Sequence, residues 1–319
     1  MLILNSMPNK IPEKILVTGG SGFIGTHLCR VLLKAGYEVR VLDLVIPAKP
    51  FEDVRYIQGD VRDMATVSAA VRDVCAVFHF AARVSVPVCR DEPVESYHTN
   101  VLGTARIAEA IRHESLRQDR KVRLIFSSSA SVYGNLGREG FPLSEEGPTA
   151  QPLSLYAAQK LASEQMLRLF HQDYGLAALV FRFFNVYGPG QDPQSPYSGV
   201  ISVFSSALRD AKPLRLNGGG SQTRDFVSVY DIVTGCIRAL EVHEKQCDAR
   251  PINIGFGRSV SIRTLAEEMI QLSKKEVPLE ISLPWPGDVL HSLADIRCAQ
   301  KILNWNPQFH LSEGLAELL

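Results

Sequence analysis

Short apolar runs alternate with helix-period segments through the first half of the chain. Lys14–Thr18, Glu38–Leu42, Val54–Ile57, Ala76–Phe80, Val122–Phe126 and Ala177–Phe181 read as six strands. Between them, His27–Lys34 (closed by Gly36), Val67–Val71, Val94–His113 and Leu155–Tyr174 carry helical periodicity. Strands alternating with helices imply parallel pairing through crossover connections, so the pattern predicts an α/β fold with a doubly wound parallel (Rossmann) sheet. After Phe184 the texture changes. Residues 187–199 are rich in Pro, Gly, Asp and Ser, including Pro189, Pro193 and Pro196, and read as a long loop. Gly218–Gly220 marks a turn, and Ile262–Leu272 a later helix. The expected division is one unit of residues 1–184, with a returning segment at about 225–255, and a smaller interleaved unit of residues 185–224 and 256–319.

Composition narrows the function classes. The 319 residues hold 34 Lys+Arg against 34 Asp+Glu, which argues against a nucleic-acid binder and a generic electrostatic membrane binder. Apolar residues at 45% and charged ones at 21% suit a packed globular protein. No apolar run approaches the roughly 18 residues of a membrane helix. Residues 1–12 lack a basic start and a long apolar core, so they read as a loose leader and not as a signal peptide. The cysteines (Cys29, Cys75, Cys89, Cys236, Cys247, Cys298) show no CxxC spacing, and Cys29 and Cys75 read as buried thiols. No metal site is expected, and a reduced, cytoplasmic setting is.

The first strand runs directly into Thr18-Gly-Gly-Ser-Gly-Phe-Ile-Gly25. Gly19, Gly22 and Gly25, between a strand and a helix, let the backbone approach a pyrophosphate, while the helix N-terminus at Phe23 and Ile24 offers free N–H groups. The plainer reading is a tight turn. Asp43 closes the second strand, where a carboxylate accepts both hydroxyls of an adenosine ribose and repels a 2′-phosphate, favouring NAD over NADP. The rival reading is a solvated turn aspartate. Asp60 and Val61 flank an adenine, or Asp60 caps a helix. Arg40 reads as a surface residue.

Candidate chemistry follows the fifth strand. Ser127-Ser-Ser-Ala-Ser-Val-Tyr-Gly134 precedes Tyr156-Ala-Ala-Gln-Lys160. Residues four apart share a helix face, so Lys160 sits beneath Tyr156. Its ammonium, with an oxidised nicotinamide nearby, lowers the tyrosine pKa, and a phenolate can take a substrate alcohol's proton as hydride leaves. Ser129 polarises the same alcohol, and Asn100 supports the site through a bound water. A tyrosine and a lysine four apart also occur by chance in many helices; the glycine turn and the serine-rich strand end give this pair its weight. No G-x-S-x-G elbow is present.

With these motifs, His79-Phe-Ala-Ala82, Arg182-Phe-Phe-Asn185 and Arg224-Asp-Phe-Val227, the chain resembles the extended short-chain dehydrogenase/reductase family over about residues 13–310, and within it the UDP-hexose 4-epimerases. The resemblance implies tightly held NAD, contacted also by Phe80, Ala81, Ala82, Asn100 and Ser127, and a UDP-sugar passing through a transient 4-keto intermediate. It implies a homodimer built on the helices near residues 94–113 and 154–174. Ala130-Ser131 stands where related dehydratases carry Asp-Glu, which implies simple redox at C4. Ser85, Asn185, Val200 (within Tyr197–Ser202, on the uracil side), Arg224 and Asp288 match substrate-binding positions. The plainer readings are strand-end capping for Asn185, an ion pair with Asp225 for Arg224 and a turn cap for Asp288. Trp285 replaces a common diphosphate arginine. Ser292 occupies a position that gates the C2 substituent, and a small residue there implies N-acetylhexosamine tolerance. Arg83 is read as structural. The alternatives are a UDP-uronate 4-epimerase, a dehydratase, or a catalytically idle NAD-binding regulator.

Overall fold

The computed structural model describes residues 13–138, 140–147, 151–192, 199–284 and 288–319. The leader of residues 1–12, Pro193, Pro196, Tyr197 and Trp285 lie outside them. In chain order the elements are β1 (Lys14–Thr18), α1 (Phe23–Lys34), β2 (Glu38–Asp43), β3 (Val54–Gln58), α2 (Met64–Val71), β4 (Ala76–His79), α3 (Val86–Asp91), α4 (Pro93–Tyr97), α5 (Gly103–Gln118), β5 (Arg123–Ser129), α6 (Leu155–Tyr174), β6 (Ala178–Phe183) and β7 (Asn185–Tyr187). They continue as α7 (Val200–Arg209), β8 (Leu214–Asn217), β9 (Thr223–Ser228), α8 (Val229–Glu241), β10 (Asp248–Ile254), β11 (Ser259–Ser261), α9 (Ile262–Ser273) and β12 (Leu279–Ser282), with two short helices at the end.

Seven parallel strands form the main sheet in the order β10-β6-β5-β4-β1-β2-β3. The winding reverses between β1 and β4, and a ligand crevice opens where such strands end. Both sheet faces are buried, which explains the continuous apolar runs. Ile15, Val17, Phe78 and Phe181 point to the layer of α1 and α8, with Leu28, Leu32, Ile232 and Cys236. Leu16, Val77, Leu124 and Val180 point to the opposite layer of α2, α5 and α6, with Val67, Ile107, Ile111 and Leu167. A separate core of Ile201, Phe204, Leu214, Leu216, Ile262, Leu265 and Met269 supports the small sheets β11-β9-β7 and β12-β8. Of the segment expected to return at 225–255, β10 joins the large sheet and α8 packs on its face, while residues 225–228 stay in β9.

The helix expected over Val94–His113 runs unbroken from Pro93 to Gln118, with a π-helical turn, His98–Leu102, between α4 and α5. Two local expectations are corrected. Arg40 is not a surface residue. It is 6% exposed and donates to the carbonyls of Ala70 (2.7 Å) and Arg72 (3.0 Å), closing the C-terminus of α2. Cys75 is only half-buried, whereas Cys29 is buried; all six cysteines are free thiols.

One buried carboxylate ties the late segments together. Asp225 is fully buried on β9 and accepts the N–H groups of Phe256 (2.7 Å), Gly257 (2.9 Å) and Ala294 (3.0 Å). Burial pushes its pKa up to about 6, against the pull of these three bonds. Asp225→Asn puts an amide donor where the carboxylate accepts on both oxygens. It should destabilise the fold by roughly 1–3 kcal/mol, read as a lower urea midpoint. An unchanged midpoint contradicts the assignment.

Candidate active site

The glycine turn sits at the β1/β4 switch. Gly19, at φ +71°, packs against the end of β4, and a Cβ there would lie 2.7 Å from the Ala81 nitrogen. Gly19 N–H donates to Leu42 O (2.9 Å) and Phe80 N–H to Thr18 O (3.0 Å), binding the turn to its neighbours. A Cβ at Gly25 would lie 2.4 Å from Gly19 O, so only glycine lets α1 start this close. The N-cap Gly22 is exposed. α1 begins with no side-chain cap and no acidic residue in its first turn, leaving the N–H groups around Phe23 and Ile24 for an anion. Asp43 stands beside the turn and accepts the N–H groups of Ser21 (3.0 Å) and Val45 (3.2 Å). Each of its oxygens keeps acceptor capacity for a ribose hydroxyl. These groups fit a dinucleotide.

The neighbouring residues divide. Ala81 N–H donates to Thr18 Oγ1 (3.2 Å), Phe80 packs edge-on against Phe183, and Ala82 is half-buried beside them. Val61 is buried in the core. Asp60 is no helix cap: Asp63 caps α2, and Asp60 holds the Arg62 guanidinium at 2.8 Å. His79, buried between Thr18 Oγ1 (2.7 Å) and Thr104 Oγ1 (3.1 Å), is kept neutral, its pKa pulled down to about 3 by burial first and then by Lys160.

Helix α6 brings the chemistry together. Tyr156 and Ser129 both line a cavity of about 460 Å³. Lys160, buried one turn after Tyr156, donates to Ser127 O at 2.6 Å, with its Nζ 5.9 Å from the Tyr156 ring centre. Burial pulls the Lys160 pKa down to about 8, and the Glu164 carboxylate one turn further on acts in the opposite direction. The lowering of the Tyr156 pKa is not seen in the protein alone. Burial pushes the phenol up to about 12, with Ser129 working against it. Asn100 sits in the π-helical turn, a feature often found at functional sites. Its Nδ2 donates to Arg83 O (2.9 Å) and Gln159 Oε1 (2.7 Å), and its Oδ1 accepts Arg83 N–H (2.8 Å). These bonds hold Asn100 between the chain at Arg83 and helix α6.

Sequence reasoning missed Glu164. It is buried, accepts the Ser128 hydroxyl, and holds Arg182 through two nitrogens, at 3.0 and 2.6 Å. Arg182 in turn lies over the Tyr133 ring (4.7 Å). The signal was available: Tyr156, Lys160 and Glu164 recur at the four-residue helical step.

On the substrate side, Asn185, Val200, Arg224 and Asp288 line the same cavity. Asn185 is no strand cap; its Nδ2 donates to Asp225 O (3.2 Å), across to β9. Arg224 pairs with Asp288 and not with Asp225, which is occupied by backbone N–H groups. Asp288 is therefore an ion-pair partner and not a turn cap. Ser85 does not border the cavity: with Pro87 opening α3, its Oγ caps that helix by accepting Val88 N–H (3.3 Å), and Val84 reaches the wall instead. Ser292 is 6% exposed, donates its N–H to Thr223 O (3.1 Å) and lies off the described walls. Arg83 pairs with Glu92, a structural contact. Arg215, Asn217 and Gln222, not foreseen, also line the cavity. Among the described residues no cluster of metal ligands occurs.

A doubly wound parallel sheet with a glycine turn at its switch point, beside a serine–tyrosine–lysine set, defines a nicotinamide-dependent enzyme of the extended short-chain dehydrogenase/reductase type. The chain belongs to the NAD dependent epimerase/dehydratase family, whose model matches residues 15–255. It is 34% identical over 314 residues to the UDP-glucose 4-epimerase of Mycolicibacterium smegmatis, covering 95% of this chain and 96% of that one. Its fold matches the crystal structure of Thermotoga maritima UDP-glucose 4-epimerase with UDP-glucose at TM-score 0.87 and 31% identity, covering 96% and 97% of the two chains. The UDP-N-acetylglucosamine 4-epimerase of Methanobrevibacter ruminantium, in complex with UDP-N-acetylmuramic acid, matches at TM-score 0.87 and 32% identity, with the same coverage.

The glycine geometry makes a prediction. Gly25→Ala, whose Cβ collides with the turn, should weaken NAD binding by more than about tenfold, roughly 1.4 kcal/mol. The readout is nicotinamide released per folded chain on denaturation. Wild-type loading in this variant contradicts the close-approach argument.

Proposed function

We propose that this enzyme is an NAD-dependent UDP-hexose 4-epimerase, acting on UDP-glucose/UDP-galactose or their N-acetylated counterparts. The observation that carries the reading is the shared cavity, whose wall includes Ser129, Tyr156 and Arg224. In it a sugar alcohol lies beside the tyrosine while its diphosphate meets the guanidinium. The large sheet, with β10 and α8 returning to it, forms the cofactor unit; the later segments, β9 included, hold the nucleotide sugar.

Bound NAD supplies a reversible hydride acceptor at the sugar's C4. Tyr156 takes the C4 hydroxyl proton and later returns it to the opposite epimer. Ser129 donates to the same oxygen and holds it at the tyrosine. Lys160 keeps a positive charge one turn behind the phenol, and Glu164 keeps that charge in place. Asp43 selects NAD by accepting the adenosine ribose hydroxyls. Because the 4-keto sugar is reduced again in the same cavity, no external reductant is needed. Ala130-Ser131 brings no carboxylate beside the tyrosine, which favours this reaction over elimination.

The cytoplasm is the proposed location; among the described residues no helix is long and apolar enough to cross a membrane. A homodimer is proposed through α5 and α6. Leu155 (46% exposed) and Leu169 (56%) lie fourteen residues apart on one face of α6, and Leu102, just before α5, and Leu116 on it are exposed too. Leu169→Lys should shift the protein to monomer in sedimentation; a wild-type profile contradicts that face.

A UDP-sugar panel tests the reaction. An epimer of unchanged mass, formed without added reductant, is expected, and a product of changed mass points to dehydration. Tyr156→Phe should keep its NAD and lose about 10²–10⁴-fold in kcat, the range of a positioned acid–base group. Retained activity overturns the assignment of Tyr156.

A further inference from the structure

The charges on the cavity wall do not balance for a diphosphate ligand. Among the described residues, the lining holds two cations, Arg215 and Arg224, and one carboxylate, Asp288. Arg224 is already matched: its side chain is 15% exposed, paired with Asp288, and donates also to Thr223 O (2.9 Å). Arg215 differs. On β8, Leu214 and Leu216 point into the core at 0% exposure, so Arg215 and Asn217 share the opposite face and meet the cavity. The Arg215 side chain is 79% exposed. Its counter-charge, Glu280, faces it in register on β12, with Nε to Oε2 at 3.5 Å. An open ion pair at that distance is weak and readily exchanged.

We propose that Arg215 is a substrate-binding residue that gives the nucleoside diphosphate its second positive contact, exchanging Glu280 for phosphate oxygens. This rests on the nucleotide-sugar reading above. A guanidinium on a long stem suits the task, since it meets two phosphate oxygens at once. Arg224 and Arg215 then hold the diphosphate between two strand faces, one cation fixed by its buried setting and one recruited from solvent. A basic excess over the whole chain is unnecessary, because the charge is local.

The test uses the full-length, NAD-loaded protein. UDP and uridine are titrated by calorimetry, and turnover of UDP-glucose is followed at low and high salt. Arg215→Gln should weaken UDP binding about tenfold, as loss of a charge-assisted contact does, while uridine binding stays within about twofold. The loss should appear in KM rather than in kcat and shrink as salt screens the contact. Arg215→Lys, which keeps the charge and loses the two-oxygen contact, should recover only part of it, and Glu280→Gln, which frees the arginine, should tighten UDP binding. Two results overturn the proposal: an Arg215→Gln protein that binds UDP as the wild type does, or one that loses UDP and uridine equally, which would put the guanidinium on the nucleobase. A wild-type protein that holds NAD but binds no UDP would instead overturn the nucleotide-sugar reading beneath it.

Discussion

A buried lysine ammonium has few places to go, and in this protein it goes to the carbonyl of Ser127 at the end of β5, 2.6 Å away. That contact presses one face of α6 against the strand end that carries Ser129. Tyr156 and Glu164 lie one turn to either side of Lys160 on the same face, so all three are placed by a single packing decision. Glu164 carries the constraint further, through Ser128 and Arg182, into the centre of the sheet. The cost of burying these charges is offset because each is paired or hydrogen-bonded.

The second constraint is the glycine turn. β1 and β4 must come close enough for Gly19 to touch Ala81, and α1 must begin within reach of Gly19 O. Side chains are excluded from that space, which leaves backbone N–H groups and an uncapped helix end facing the crevice. The turn follows β1 and α6 packs on the end of β5, with only β4 between them, so a nicotinamide cofactor and a sugar alcohol can share one small volume. The tyrosine's chemistry depends on this meeting: in the protein alone burial holds the phenol up at about 12, and a cationic ring beside it is the missing influence in the other direction.

What could be read from the chain was what depends on local spacing. Six strands, α6, the glycine turn and the Tyr156–Lys160 step follow from periodicity and short motifs. What could not be read depends on contacts distant in sequence. Arg40 looked like a surface residue because nothing in β2 shows that the end of α2 lies over it. Arg224 stood beside Asp225 in the chain, yet adjacent residues on a strand point to opposite faces, so its partner is Asp288, sixty-four positions on. Ser85 read as a substrate contact, but Pro87 starts a helix that needs it as a cap. The π-helical turn around Asn100 has no periodic signature; it follows from bonds that Asn100 makes to Gln159 and Arg83.

Epimerisation through a stored hydride requires that the hydrogen at C4 never reach water. The most direct measurement is the mass of the product formed from a UDP-sugar carrying deuterium at C4. Full retention of the label in the inverted epimer, with unlabelled solvent, is the result this account predicts. Exchange of the label with solvent would mean that C4 loses a proton instead, and would contradict the roles given to Tyr156, Lys160 and the glycine turn.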